Sequence, residues 1–270
     1  MSIGERIKLL REEKKLSQAK LAEKIDVSFQ AISSWERDEY LPDTENLIKL
    51  SKELDISLSS LVEDKYNFKV KDALYDWKHM KTYVKTSINN YKLDNASKAL
   101  NFAIKAHEGI KRKKSDIPYI YHPLNMVCHL LALNIIDDNL IAATLLHDVI
   151  EDCDVRYEDL PVNEYIKDLV KLLTHEKVTD DKRKKVLNDY YKKIKKNPDA
   201  CLIKCIDRCN NLTTMSWGLS RARIFRMIEE TEEYILPLLT TLKDTVKYNN
   251  AYWLLSYQME SMLDIYKRLL

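Results

Sequence analysis

The sequence predicts an all-α protein, with an N-terminal unit of five short helices followed by a larger helical unit. Gly occurs three times in 270 residues, at Gly4, Gly109 and Gly218, too few for strands joined by tight glycine turns. Leu, Lys and Ile are prominent in the composition, and apolar residues recur at spacings of three and four along most of the chain. A chain of 270 residues can bury one large core or two modest ones. Residues 1–65 read as the first unit, residues 66–75 lose the amphipathic period and read as a linker, and residues 76–270 form the second unit.

In the first unit Gly4 to Lys14 is amphipathic through Ile7, Leu9 and Leu10. Ser17 caps a helix in which Leu21, Ala22 and Ile25 face inward, Asp26-Val27 turns, and Ser28 caps Phe29 to Arg37 with Ala31, Ile32 and Trp35 on the buried side. Pro42-Asp43 opens a fourth helix through Leu47, Leu50 and Leu54, and Ser57 starts a last turn with Leu58 and Leu61. The strings Ser17-Gln18-Ala19-Lys20-Leu21-Ala22 and Ile32-Ser33-Ser34-Trp35-Glu36-Arg37 resemble those of lambda-repressor-like (Xre/Cro) helix-turn-helix domains. That resemblance implies a dimer binding duplex DNA through residues 17–37, with Gln18 at backbone phosphate and Phe29, Gln30, Ser33 and Ser34 toward base edges. Residues 1–65 carry 11 Lys plus Arg against 14 Asp plus Glu, a net of −3, so few cations are available at phosphates.

In the second unit Asp94-Asn95 is expected to cap a helix through Ala99, Leu100, Phe102, Ala103 and Ala106. Pro123 opens another through Met126, Val127, Leu130 and Leu131, and Asp137-Asp138 precedes a helix that carries His147. Cys201, Cys205 and Cys209 recur every four residues and read as small core residues rather than metal ligands, since no partner pair follows.

The bulk properties exclude several classes. The net charge is +2, from 44 cations and 42 anions, so no global charge argument for nucleic acid exists. The five cysteines contain no C-x-x-C pair, no apolar signal core opens the chain, and no apolar run reaches the roughly 20 residues needed to span a bilayer. A cytoplasmic protein without a membrane partner is the expectation. Three glycines also rule out a Walker loop or a dinucleotide fingerprint, so any phosphate must be gripped by side chains or a metal.

His147 and Asp148 stand together in Leu146-His147-Asp148-Val149-Ile150-Glu151-Asp152, with His122 upstream and Asp207 downstream. Two imidazoles and two carboxylates from three helices suit one divalent ion of the Mn²⁺, Fe²⁺, Co²⁺ or Mg²⁺ type, with Mn²⁺ the first choice. Such an ion would polarise a phosphoryl oxygen and acidify water. Glu151 and Asp152 fall one helical turn after His147 and Asp148, and two close carboxylates push one pKa upward, supplying an acid or base beside the metal. His79, His129 and His175 read as surface or packing residues.

Longer strings narrow the chemistry. Ala106-His107-Glu108-Gly109, Pro118-Tyr119-Ile120-Tyr121-His122-Pro123, the His147 string, and Leu202-Ile203-Lys204-Cys205-Ile206-Asp207-Arg208-Cys209-Asn210-Asn211-Leu212 resemble the RelA/SpoT-type alarmone hydrolase domain of the HD class. Arg226, Glu230, Thr231, Tyr234 and Pro237 continue the match, which runs from about Ala99 to Leu239. The resemblance implies Mn²⁺-dependent removal of the 3′-pyrophosphate from guanosine tetra- or pentaphosphate. It makes His122, His147, Asp148 and Asp207 metal ligands, and Glu151 and Asp152 the groups that position and activate water. Arg112, Lys113 and Ser115 would contact the nucleotide, and Asn211 and Thr214 would line the guanosine pocket. Lys111-Arg112-Lys113-Lys114 suits a polyphosphate, and Lys182-Arg183-Lys184-Lys185 is either an addition to it or a solvated helix face. The loop after Gly109 is one residue longer than the usual pattern, and Asp116-Ile117 replaces Gly-Glu, which bears on nucleotide preference. Two alternatives stand beside hydrolysis of guanosine polyphosphates: a DNA-binding regulator whose pocket senses a nucleotide, and a phosphohydrolase acting on another purine nucleotide.

Overall fold

The computed structural model describes residues 2–62, 76–112, 117–175, 180–215 and 220–269. The expected linker, and Lys113, Ser115 and Asp116 with it, lie outside the described residues. Contacts divide the chain into two compact units, Met1–Tyr75 and Asp76–Leu270. Among the described residues the secondary structure is helical apart from an isolated antiparallel bridge between Lys111 and Pro118, and no helix is long and apolar enough to cross a membrane.

The first unit packs α1 (Ile3–Glu13), α2 (Gln18–Ile25), α3 (Phe29–Glu36), α4 (Thr44–Glu53) and α5 (Leu58–Val62) around Ile7, Leu21, Ile32, Leu50 and Leu61, all fully buried. Ser2, Ser17, Ser28 and Asp43 each accept a backbone N–H two or three residues into their helices, which satisfies donors the helix leaves open. Gly4 is required where α1 crosses α3, since a Cβ there would lie 2.0 Å from the Trp35 carbonyl oxygen. Leu9, expected inside with Ile7 and Leu10, is 45% exposed, because it falls on the solvent side of the helix repeat. A buried ion pair ties α1 to α3: Arg11 donates through Nε and Nη2 to the two Glu36 carboxylate oxygens at 2.6 and 2.9 Å.

The second unit is built around α9 (Asp138–Leu146), whose residues from Leu140 to Leu146 are all buried. A helix apolar on every side must lie inside a layer of other helices. That layer consists of α7 (Asp94–Ala106), α8 (Tyr121–Ala132), α11 (Glu164–Leu173) and α13 (Pro198–Thr214), with α6 (Trp77–Asn90) behind them. Farther along the chain, α12 (Asp180–Ile194), α14 (Arg221–Glu230), α15 (Leu236–Lys243) and α16 (Asn249–Leu269) complete the unit. A short π-helical turn, Thr231–Ile235, joins α14 to α15 just before Pro237. Pro237 offers no N–H to that turn and its ring crowds the carbonyl four residues back, which accounts for the widened turn. Cys201, Cys205 and Cys209 are buried in this core as free thiols.

Two expectations change at helix ends. Asp94 is the first residue of α7 rather than its cap. The cap comes from α9, where Asp138 accepts from the backbone of Asn95 at 3.1 Å and of Ala96 at 2.8 Å. The helix carrying His147 also stops earlier than the sequence pattern implies: α9 ends at Leu146, and a separate turn, α10 (Val149–Asp152), follows. Replacing Asp138 by Ala should therefore destabilise the larger unit by about 1–2 kcal/mol in urea unfolding. Asp94→Ala should cost about 0.5 kcal/mol, the size of a first-turn charge effect. The reverse order would show that α7 is capped locally.

Candidate functional site

The end of α9 places His147 and Asp148 inside the core, where the chain turns. The Nδ1 of His147 bonds the Thr144 carbonyl oxygen at 2.9 Å. That fixes the proton on Nδ1, and the buried Nε2 is left without a hydrogen bond of its own. His122, one residue into α8, is pinned in the same way: its Nδ1 lies 2.6 Å from Asn210 Oδ1, and Asn210 in turn donates to Asn125 Oδ1 at 2.6 Å. Both rings thus turn Nε2 toward one point.

At that point His122, His147 and Asp207 offer ligand atoms all within 4.8 Å of one another. His122 Nε2 is 3.2 Å from Asp207 Oδ1, and Asp148 Oδ2 is 3.1 Å from His147 Nε2 and 3.6 Å from His122 Nε2. Neighbouring donor atoms in a six-coordinate shell are separated by about 3 Å when bonds are about 2.1 Å. The spacing of these atoms and the mixed nitrogen and oxygen donors therefore fit a divalent cation of the Mn²⁺ class. Three of the four predicted ligands, His122, His147 and Asp207, form one group, and Asp148 lies against the two histidines.

Three residues that the sequence reading did not single out hold this set. The Tyr119 hydroxyl donates to Asp148 Oδ2 at 2.7 Å; burial first, and then Asp148 and Asp152, keep that phenol protonated far above its ordinary range. Lys204 Nζ lies 3.0 Å from Asp207 Oδ2. Burial opposes both charges, yet Lys204 stays protonated beside Asp207 and Asp207 stays ionised beside Lys204. This leaves Oδ1 of Asp207 toward the histidines. Asn210 is the third, and its signal was its place three residues after Asp207 on α13, although nothing in the sequence set it apart from Asn211.

The two further carboxylates occupy unlike surroundings. Glu151 is half-buried and accepts from the backbone N–H of His175, whereas Asp152 is exposed on the Tyr119 side. Burial pushes Glu151 above the ordinary carboxylate range, against the His175 N–H and the Lys204 charge, with Asp148 a smaller raising influence. Repulsion by a neighbouring carboxylate, the cause expected from the spacing, is the smaller one. Desolvation is the larger cause.

Arg112 reaches over the site from the loop after Gly109, whose φ of +77° favours glycine. Its Nη2 is 3.1 Å from Asn211 Oδ1 and 3.5 Å from Thr214 Oγ1, and its Nη1 is 3.4 Å from Asn210 Oδ1. Arg112, Asn211 and Thr214 thus share one wall beside His122. The amide nitrogen of Asn211 is committed to Asp207 Oδ1 at 2.6 Å, so it braces the cluster as well as lining the wall. Arg183 donates to Glu230 at 2.5 Å and Lys184 lies 3.4 Å from Glu233, which makes that basic run a helix-to-helix ion-pair set; the Lys182 side chain lies outside the described residues.

In the first unit Phe29 and Gln30 are exposed at the start of α3, and Ser33 and Ser34 are half-buried farther along it. The Ser33 hydroxyl accepts from Arg37. Gln18 does not project freely: its Nε2 donates to Glu36 Oε2 at 2.7 Å, beside the Arg11 pair.

Asn210→Ala should weaken divalent-metal affinity by about 10- to 100-fold, the usual cost of losing a partner that orients a ligand; unchanged affinity would remove Asn210 from this role. Burial disfavours a charged His147, but Asp148 outweighs it and raises the imidazole to about 9. Metal binding at neutral pH should therefore release a proton and tighten as pH rises toward about 9. Calorimetry in buffers of unlike ionisation heat should give unequal enthalpies, and equal ones would contradict the assignment.

Comparison with known proteins agrees with this division. Residues 7–61 match the family model described as helix-turn-helix, and residues 99–231 match the one described as HD domain. The guanosine-3′,5′-bis(diphosphate) 3′-pyrophosphohydrolase of Aquifex aeolicus is 33% identical over 147 residues, covering 52% of this chain and 20% of that protein. Its counterpart in Vibrio cholerae is 36% identical over 143 residues, covering 49% and 19%. The bifunctional (p)ppGpp synthase/hydrolase SpoT of Escherichia coli is 29% identical over 175 residues, covering 61% and 24%. The chain thus spans about a fifth to a quarter of the length of these relatives. A solved structure described as a metazoan ortholog of SpoT that hydrolyzes ppGpp shares the fold, with a TM-score of 0.51 and 24% identity over 63% of this chain and 94% of that one. Residues 7–61 of this chain are a helix-turn-helix domain, and residues 99–231 are an HD domain.

Proposed function

We propose that the HD domain is a Mn²⁺-dependent hydrolase that removes the 3′-pyrophosphate of guanosine tetra- or pentaphosphate. The observation that carries this reading is the convergence of His122, His147, Asp148 and Asp207 beside a wall of Arg112, Asn211 and Thr214. When bound, the ion supplies Lewis acidity toward a phosphoryl oxygen and lowers the pKa of water. The names of the relatives support the substrate class.

The side chains divide the remaining work. Arg112 exchanges its bonds to Asn211 and Thr214 for phosphate oxygens, for which its planar fork is suited. Glu151, held by the His175 backbone and raised in pKa by burial, takes a proton from the attacking water near neutral pH. Asp152, exposed beside Tyr119, positions that water, and Tyr119 keeps Asp148 turned toward the histidines. Lys113 and Ser115, which lie outside the described residues, contact the nucleotide in this proposal. The helix-turn-helix domain brings the enzyme to duplex DNA through Phe29, Gln30, Ser33 and Ser34, with Gln18 at the backbone.

Purified protein with Mn²⁺ should release pyrophosphate from guanosine tetraphosphate and not from adenine nucleotides in the same panel. Asp148→Asn and Asp207→Asn should abolish that release with helical content intact, and Glu151→Gln should lower it by about 10²- to 10⁴-fold. Release that persists in Asp207→Asn would overturn the site, and release from adenine nucleotides alone would overturn the substrate. For the first unit, binding to duplex DNA should appear at low salt and weaken steeply as salt rises; no binding at any ionic strength would overturn it.

A further inference from the structure

Tyr190, near the end of α12, joins three supports of the site. Its hydroxyl donates to the Leu173 carbonyl oxygen at 2.5 Å. Leu173 is the last residue of α11, where a helix has no partners of its own for its carbonyls, so Tyr190 caps that end. Two residues on, the backbone N–H of His175 donates to Glu151. The His175 ring stands edge-on to the Tyr190 ring, with centroids 5.1 Å apart and planes at 85°. Lys204 Nζ lies 5.9 Å from the Tyr190 ring centroid, within reach of a cation–π contact, and the same ammonium is 3.0 Å from Asp207 Oδ2. Tyr190 is itself backed by Tyr191, centroids 5.0 Å apart, and Tyr191 stacks on Tyr234 of the π-helical turn at 4.9 Å with planes 11° apart.

We propose that Tyr190 is a positioning residue for the hydrolytic step: through the Leu173 carbonyl and the His175 ring it pins the end of α11 and holds the N–H that sets the Glu151 carboxylate. The inference rests on the reading of Glu151 as the group that takes a proton from water. Helix ends open at little cost in free energy, and the His175 N–H lies just past one. A base hung on that N–H keeps its place only if the helix end is pinned, and proton transfer requires the carboxylate within hydrogen-bond reach of the water. The pin is a durable one. Burial keeps the Tyr190 phenol protonated well above its ordinary range, so the donor is present at every working pH. Its contact with Lys204 ties the same ring to the helix that carries Asp207, which couples the placement of the base to the placement of a ligand.

The test is a double-mutant cycle on pyrophosphate release from guanosine tetraphosphate by the full chain with Mn²⁺. Tyr190→Phe, which removes only the hydroxyl, should lower kcat by about 10- to 100-fold with KM unchanged. In a Glu151→Gln chain the same change should cost less than about twofold, because a residue that acts through Glu151 has nothing left to position. Amide hydrogen exchange at His175, followed by NMR, should quicken in Tyr190→Phe. Should that variant lose its helical circular dichroism, His175→Ala, which keeps the N–H and removes the ring that packs on Tyr190, carries the same cycle. Unchanged kcat in Tyr190→Phe, a loss of equal size in the Glu151→Gln chain, or unchanged exchange at His175 overturns the proposal and leaves Glu151 as the base. A Glu151→Gln chain as active as the wild type, or a wild type that releases no pyrophosphate, overturns the reading of Glu151 and this inference with it.

Discussion

The hydrogen bond between His147 Nδ1 and the Thr144 carbonyl oxygen is the constraint on which the second unit's site depends. A helix buried on all sides ends in the core with carbonyls that water cannot reach, and an unpaired carbonyl there costs about 1–3 kcal/mol. His147 supplies the missing donor. The same bond sets the imidazole tautomer and turns Nε2 toward His122 and Asp207. Helix termination and ligand orientation are thus one interaction, and weakening it would loosen both.

The neighbours extend that logic outward. Asn210 and Asn125 hold His122, Tyr119 holds Asp148, and Lys204 holds Asp207 by the oxygen that does not face the histidines. Two of these bracing residues, Lys204 and Asn210, lie on α13 on either side of Asp207, so a single buried helix provides a ligand and its supports. Sites supported this way keep their geometry before any ligand arrives, which lowers the reorganisation needed for catalysis. Arg112 reaches the same assembly from a loop, and its contacts with Asn211 and Thr214 are ones a phosphate can replace.

Much of this was legible in the sequence for identifiable reasons. Scarce glycine and the three- and four-residue apolar spacing announced helices, and His122, His147, Asp148 and Asp207 stood out because metal chemistry needs those residue types. What stayed hidden depends on tertiary contact. The break after Leu146 is invisible because the apolar pattern runs through it, and Asp138 capping α7 is invisible because Asp94 offered a local alternative. A raised pKa in one of the two carboxylates is readable from their spacing, but neither that it is Glu151 nor its main cause, since burial cannot be read from that spacing. Leu9 was misplaced for a similar reason, since the helix repeat turns it outward, and the hydrogen bond from Gln18 to Glu36 is a tertiary contact of the same hidden kind.

The central claim is that four side chains from three segments form one divalent-metal site, and diffraction tests it most directly. Crystals soaked in Mn²⁺ and measured at the manganese absorption edge should give an anomalous peak within bonding distance of His122 Nε2, His147 Nε2, Asp148 and Asp207. A peak elsewhere, or none at these residues at saturating Mn²⁺, would contradict the account.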